Sequence, residues 1–246
     1  SHQHPDHAWA APSLAVRTGA EILCSEKDMP VVLDPGRLWY DEERELGGFQ
    51  ENVLPLPAAG IEALSPLFFG PSNLPPRTPG VLFDGDTIDL GGTVITVLET
   101  PGHRPGEIAL HIPQDDVVVT GDIINRRRWD IPSINFPMSD LNDTAASIEK
   151  IRSLDPTTIC NGHEHFVSGR PLVRKWLREV LDRCATLRET AAKTISANPG
   201  ITLPNLGLKL IAGNREISFM EIRAIAYVTL KSFPEGRAWL SERRAN

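Results

Sequence analysis

The sequence predicts an α/β protein, a layered αβ/βα sandwich with a helical extension at its C-terminal end. Three observations predict it. Residues 81–120 hold β-rich runs separated by turn signals, a helix-period stretch and one further β-run follow them, and beyond His165 the pattern is helical. Strands first, then a helix and a strand, suit sheets covered by helices.

Taken in order, residues 8–17 read as a short helix, with Pro12 tolerated near its first turn and Gly19 as its stop. Residues 21–24 and 31–33 read as short strands. Residues 34–80 are irregular and proline-rich, with Trp39, Tyr40, Phe49, Phe68 and Phe69 scattered through them. Long excursions of this kind are functional loops or lids more often than disorder. Residues 81–83, 87–90 and 93–98 are β-runs punctuated by Asp84-Gly85-Asp86 and Gly91-Gly92. Residues 107–112 and 117–120 form a hairpin across Pro113-Gln114-Asp115-Asp116. Ile148, Ile151 and Leu154 stand at helical spacing within 144–154, and 157–160 is a buried strand. The tail then carries an apolar stripe through Leu172, Val173, Trp176, Leu177, Val180, Leu181, Cys184 and Leu187, with Arg174, Lys175, Arg178 and Asp182 opposite. A second helix opens at Ser218, with Glu221 completing a capping box and Ile217 and Ile222 closing a hydrophobic staple, and Pro234 ends it. Residues 1–169 are thus expected to form the main domain and 170–246 the helical extension.

Composition narrows the function. With 246 residues, 41% hydrophobic and 23% charged, the chain has ample material for a core. It has no apolar run near the roughly 20 residues of a membrane span. A net charge of −7 disfavours nucleic acid as a partner, since such binding leans on neutralising phosphates. Cys24, Cys160 and Cys184 are odd in number, widely spaced and free of any C-x-x-C. Reduced thiols in a cytoplasmic protein fit them better than a disulfide framework.

Histidines and carboxylates carry the chemistry. The chain begins Ser1-His2-Gln3-His4-Pro5-Asp6-His7, and later come Thr100-Pro101-Gly102-His103, Thr120-Gly121-Asp122 and Gly162-His163. In extended backbone His2 and His4 point the same way and can converge on one ion, after which a turn into helix swings Asp6 and His7 toward a second. Taken alone, this cluster would also suit a polar terminus or an affinity-tag remnant. His103, Asp122 and His163 each follow a β-run through a glycine turn, which weighs against both. A carboxylate at the end of an apolar strand is costly unless paired or bound to metal, and the two oxygens of Asp122 suit it to bridge two ions. Five imidazoles and two carboxylates, with no thiolate among them, suit Zn first, with Mn or Fe as alternatives. His111, mid-strand, reads as structural.

With these motifs in this order, the chain resembles the metallo-β-lactamase-fold superfamily. Asp84-Gly85-Asp86-Thr87-Ile88-Asp89-Leu90-Gly91-Gly92 also looks like that family's hairpin before the Thr-Pro-Gly-His turn. The resemblance covers residues 1 to about 165 and implies a four-layer αβ/βα sandwich. It implies that His2, His4 and His103 hold one metal and Asp6, His7 and His163 the other, with Asp122 bridging. Arg104 departs from the small hydroxyl residue common at that position, and no cysteine stands at the ligand position of many true β-lactamases. The family fold normally places several strands ahead of the first cluster, so an upstream segment before Ser1 is expected.

Two divalent ions imply hydrolysis by an activated water, with Asp6 and Asp122 as the catalytic carboxylates and Asp6 as the proton carrier. The expected reaction is opening of an ester-like bond in a small molecule, either a lactone or a thioester. Gly162-His163-Glu164 and the helical tail resemble the hydroxyacylglutathione hydrolase branch. Iron-dependent oxidation, as in persulfide dioxygenases or flavo-diiron proteins, and phosphodiester cleavage are the alternatives. Arg126, Arg128, Trp129 and His165 are the candidate substrate contacts, since Arg126-Arg127-Arg128 must start beside Asp122 and an arginine can clamp an anionic group. Trp39, Tyr40, Phe68 and Phe69 are candidate pocket walls. A homodimer through the helical extension or the aromatic excursion is a further expectation.

Overall fold

The computed structural model describes the chain except residues 48, 50–52, 55, 71, 73, 76, 125–131, 164–165, 212–218 and 245–246, and of Phe219 and Met220 it describes the backbone alone. The single helix expected over 8–17 is two, α1 (Pro5–Ala8) and α2 (Ala11–Thr18). Pro12 falls in the first turn of α2, where its missing N–H is no loss, and Gly19 closes that helix at φ 74°. After β1 (Leu23–Ser25) comes a correction: residues 31–33 are not a strand but part of helix α3 (Met29–Leu33). Pro30 is pre-set for a first turn, and the Asp28 carbonyl accepts from the N–H groups of Val31 and Val32, so local bonds override the β-branched preference. The excursion 34–80 is likewise not irregular throughout. It contains α4 (Arg37–Leu46), ended by Gly47 at φ 53°, and α5 (Ala58–Phe69), preceded by Pro57. Pro57 marks the start of α5, and Pro66 is carried inside it.

The strands follow as expected: β2 (Gly80–Leu82), β3 (Thr87–Asp89), β4 (Val94–Glu99), β5 (Ile108–Ile112) and β6 (Val117–Val119). Helix α6 (Leu141–Ser153) leads into β7 (Thr158–Cys160) and β8 (Phe166–Ser168), the last not foreseen. The tail is α7 (Arg170–Ala197), α8 (Leu203–Ile211), α9 (Phe219–Lys231) and α10 (Pro234–Ser241). The capping residues Ser218 and Ile217 lie outside the described residues, and Pro234 both follows α9 and opens α10.

Strands β3 to β8 form one six-stranded sheet in chain order, while β1 and β2 pair in parallel as a second sheet. The large sheet is antiparallel except between β6 and β7, whose parallel pairing requires the crossover that α6 supplies. This order positions the site. Strands β4, β6 and β7 run in the same direction, so their C-terminal ends, and the turns carrying His103, Asp122 and His163, leave from one edge.

Burial is organised in two large clusters. One face of the sheet packs Val118, Ile123 and Ile159 against Ile148 and Ile151 of α6 and Val173, Trp176, Leu177 and Val180 of α7. The second half of α7 packs through Cys184, Leu187, Ala191 and Ile195 on α8, α9 and α10. A smaller cluster joins Val31, Leu38, Trp39 and Ala58 across α3, α4 and α5, with Ile61 and Phe136 against it. No described helix is long and apolar enough to cross a membrane.

Candidate metal centre

The N-terminal residues reach this edge because the Ile108 N–H donates to the Ser1 carbonyl at 2.9 Å, fastening them to the start of β5. His4 is extended, at φ −62° and ψ 149°, and Pro5 then starts α1. The His4 carbonyl accepts from the N–H groups of His7 and Ala8, so the chain changes direction by one helical turn between the His2–His4 pair and the Asp6–His7 pair.

Each later ligand candidate is delivered by a glycine that leaves no room for a side chain. Gly102 stands at φ 147°, and a Cβ there would strike Thr144 of α6 and Ile123. The turn is then pinned to α6, the Gly102 carbonyl accepting from the Asp140 N–H at 2.7 Å and the Pro101 carbonyl from Ser147 Oγ at 2.6 Å. Gly121, at φ 57°, lets Ser1 and Glu107 approach the backbone, and the Asp122 N–H donates to Glu107 Oε1 at 2.5 Å. Gly162 donates its N–H to the Gly121 carbonyl at 2.7 Å and lies against the Asp122 carboxylate and the His7 ring.

All seven sequence-predicted ligand candidates come together. The nitrogens of His2, His4 and His103 lie within 4.8 Å of one another, as do the donor atoms of Asp6, His7 and His163 and those of His2, His7 and Asp122. His4 Nδ1 is 2.9 Å from His2 Nε2 and 3.1 Å from His103 Nε2. Asp122 stands between the groups, with Oδ2 2.9 Å from His163 Nε2 and 3.9 Å from His103 Nε2, and Oδ1 3.4 Å from His7 Nε2. Asp6 Oδ2 is 3.5 Å from His163 Nε2 and 3.8 Å from His7 Nε2. His103 Nδ1 faces the Ser133 carbonyl at 2.9 Å, a bond that puts its proton on Nδ1 and leaves Nε2 as a donor of electrons to the cluster.

The electrostatics fit divalent cations. Burial, and then the neighbouring imidazoles, hold His2 and His4 well below the ordinary imidazole range, and burial holds His103 below it as well. They are therefore neutral, with lone pairs available. Burial opposes ionisation of Asp122, but the hydrogen bond with His7 and the surrounding imidazoles outweigh it and keep that carboxyl below its usual value. His4 Nε2 is buried without a hydrogen-bond partner among the described residues. Among the described residues, the buried carboxyl groups of Asp28, Glu42, Glu107 and Asp122 outnumber the buried guanidinium of Arg104. Neutral imidazoles, carboxylates and a surplus of buried acid suit Zn, Mn or Fe ions.

Several contacts lay beyond sequence reasoning. The Phe136 ring packs on His4 and His103, with centroids 4.6 and 6.0 Å away. Glu107 is buried behind His2, and Gln3 is buried between the two ligand candidates it separates. A charged residue in the turn ahead of β5 was the available signal for Glu107, while nothing in the sequence marks Phe136. Among the proposed walls, Trp39 belongs to the core of α3–α5, Tyr40 donates to Glu62 at 2.9 Å, Phe68 is exposed, and Phe69 meets Trp9 edge to face. His111 sits on β5 opposite Thr96 and Val118, outside the three groups. Arg126, Arg128, Trp129 and His165 lie outside the described residues.

Comparison with known proteins shows the family and the fold. The family model of the metallo-beta-lactamase superfamily matches residues 1–163. A hydroxyacylglutathione hydrolase of Fuscovulum blasticum is 28% identical over 244 residues, covering 91% of this chain and 77% of that protein. An uncharacterised protein of Mycobacterium leprae is 28% identical over 163 residues, 65% of this chain, and the match spans only 64% of its length. Among solved structures, a metallo-beta-lactamase family protein from Thermus thermophilus superposes with a TM-score of 0.65 at 20% identity, covering 93% of this chain and 71% of that one, which shows a shared fold. With the family model matching well over half of its residues, this chain belongs to the metallo-beta-lactamase superfamily.

Proposed function

We propose that the protein is a metal-dependent hydrolase that opens an ester-like bond, a lactone or a thioester, at a pair of divalent ions. The observation that carries this reading is the placement of Asp122 within reach of both the His2–His4–His103 group and the Asp6–His7–His163 group. The first group would hold one ion, the second group the other, and Asp122 both, with zinc the first choice for this donor set and manganese or iron the alternatives. Such a pair supplies, when bound, an activated water at neutral pH and draws negative charge away from the substrate oxygen.

The chain's own residues do the rest. Asp6, whose side chain is 43% exposed, is the one carboxylate of the group open to solvent, so its Oδ2 can take the proton of the attacking water and pass it to the leaving group. Asp122, 9% exposed, is held by the bond from its own N–H to Glu107 and serves orientation. Phe136 places an apolar wall beside His4 and His103. The hydroxyacylglutathione hydrolase name of the Fuscovulum relative supports the thioester branch.

Elemental analysis followed by a panel of lactones, thioesters and phosphodiesters tests the reading. Two ions per chain and hydrolysis of a lactone or thioester are expected, with Asp6→Asn slowing turnover by roughly 10²–10⁴-fold. Asp122→Ala should lose both hydrolysis and the second ion. Metal-loaded protein inactive on every lactone and thioester, or one that carries iron and consumes oxygen, would overturn it.

A further inference from the structure

We infer that Arg104 is a positioning residue for the metal ligands: through Gln3 it sets the His2–His4 pair, and through Glu42 it ties that pair to helix α4. The inference rests on the metal-centre reading above.

The argument begins with alternation. Gln3 stands between two residues whose imidazoles face the cluster, so its own side chain points away from it, into the protein, where it is 4% exposed. With its amide oriented to satisfy both neighbours, Gln3 donates to the Asp28 carboxylate and accepts from Arg104 Nη2 at 2.6 Å and Nε at 3.2 Å. Arg104 directly follows His103 and is fully buried. Its remaining donors form an ion pair with Glu42 of α4 and a contact with Met138 Sδ at 3.5 Å. The other Glu42 oxygen accepts from the Met138 N–H at 2.8 Å, and the adjacent Ser139 Oγ donates to the His103 carbonyl at 2.9 Å. One rigid guanidinium fork thus braces the segment of His2 and His4 from behind while its own backbone carries His103.

Stability alone does not account for this choice. A buried ion pair is often no more stabilising than hydrocarbon of the same volume. What hydrocarbon lacks is direction: Nη2 and Nε, held in one plane with the donor that pairs with Glu42, fix the Gln3 amide, and so the backbone between two ligands, in a single orientation. Lysine, a point charge on a flexible stem, would not do so.

The test uses the whole chain and Co²⁺, read by chelator competition and by the visible d–d spectrum, alongside thermal melts of the metal-free protein. Arg104→Met combined with Glu42→Leu removes both partners of the ion pair together, while Asp28 keeps the Gln3 amide as its partner. This double variant is expected to melt within a few degrees of wild type, to bind Co²⁺ about 10–100-fold more weakly, and to show an altered d–d spectrum. Arg104→Lys should share the altered spectrum despite keeping its charge. Gln3→Met leaves the ion pair in place and should reproduce the weaker binding, so it decides the matter if the double variant does not fold. Wild-type affinity and spectrum in a folded double variant, or in Gln3→Met, would overturn the inference. Wild-type protein that takes up no Co²⁺ would remove the metal-centre reading itself, an outcome visible without any variant.

Discussion

Glu107 touches both halves of the metal centre. Its Oε1 accepts from the Asp122 N–H at 2.5 Å and lies 3.6 Å from His2 Nδ1, while Oε2 is buried with no hydrogen-bond partner among the described residues. Burial pushes its carboxyl well above the ordinary glutamate value. A carboxyl raised in this way binds its proton more tightly folded than unfolded. Its contribution to stability is complete below the unfolded value of about 4.5 and is lost as pH rises toward the folded one. Glu107→Gln keeps an acceptor for Asp122 and abolishes that loss. In metal-free protein the variant should therefore gain on wild type by up to about 1.4 kcal/mol per pH unit above pH 4.5, until the folded value is passed. Urea midpoints of both proteins between pH 5 and 8 measure this, and a difference that stays constant across the range would contradict it. Gly162 tests the steric side of the same site. A Cβ there would meet the Asp122 carboxylate and the His7 ring, so Gly162→Ala should cut metal affinity by about 10–100-fold, read by chelator competition. The seven ligand candidates could be read from the sequence because each sits in a short local motif. Gln3 and Phe136 could not, because their roles come from contacts with residues far away in the chain, and for Glu107 the sequence offered only a charge ahead of β5.

At the scale of elements, helix α6 shows how a cap serves the site. Asp140 is its N-cap, and Oδ1 accepts from the N–H groups of Asn142 at 2.7 Å and Asp143 at 3.1 Å. Its own N–H holds the Gly102 carbonyl, one residue before His103. Asp140→Ala should cost about 1 kcal/mol, which lowers the melting temperature by roughly 2–4 °C in a chain of this size. Asp140→Asn, which keeps a capping oxygen, should restore most of it, and equal losses in both variants would contradict the capping role. The strands β2 to β7 were legible because alternation and glycine turns are local signals. Helices α4 and α5 were hidden for two physical reasons. Pro57 at the start of α5 and Pro66 inside it read as breakers, and the inward stripe of α4, Leu38, Trp39 and Glu42, contains a charge that Arg104 and the Met138 N–H make tolerable. Residues 31–33 misled in the opposite sense, their β-branched side chains outweighed by a proline-led first turn.

On the scale of the whole molecule, α7 decides how the protein unfolds. It runs 28 residues, about 42 Å at 1.5 Å per residue. Its first half completes the sheet core through Val173, Trp176, Leu177 and Val180, and its second half completes the helical core through Cys184, Leu187, Ala191 and Ile195. Its start is fastened to the turn between α6 and β7 by the Arg174–Asp155 pair, with two contacts of 2.6 Å. The C-terminal helices also reach back toward the site. Tyr227 and Lys231 of α9 donate to the Glu45 carbonyl and carboxylate of α4, at 3.1 and 2.8 Å, three residues from Glu42. A helix shared by two cores cannot lose one without fraying the other. The two cores should therefore unfold in one cooperative transition, the far-ultraviolet signal and tryptophan fluorescence coinciding in urea. Leu187→Ala, at a fully buried position in the helical core, should remove about 2–5 kcal/mol and move both signals together. A variant in which the helical signal melts first while the sheet and Co²⁺ binding persist would show that the tail folds as a separate unit.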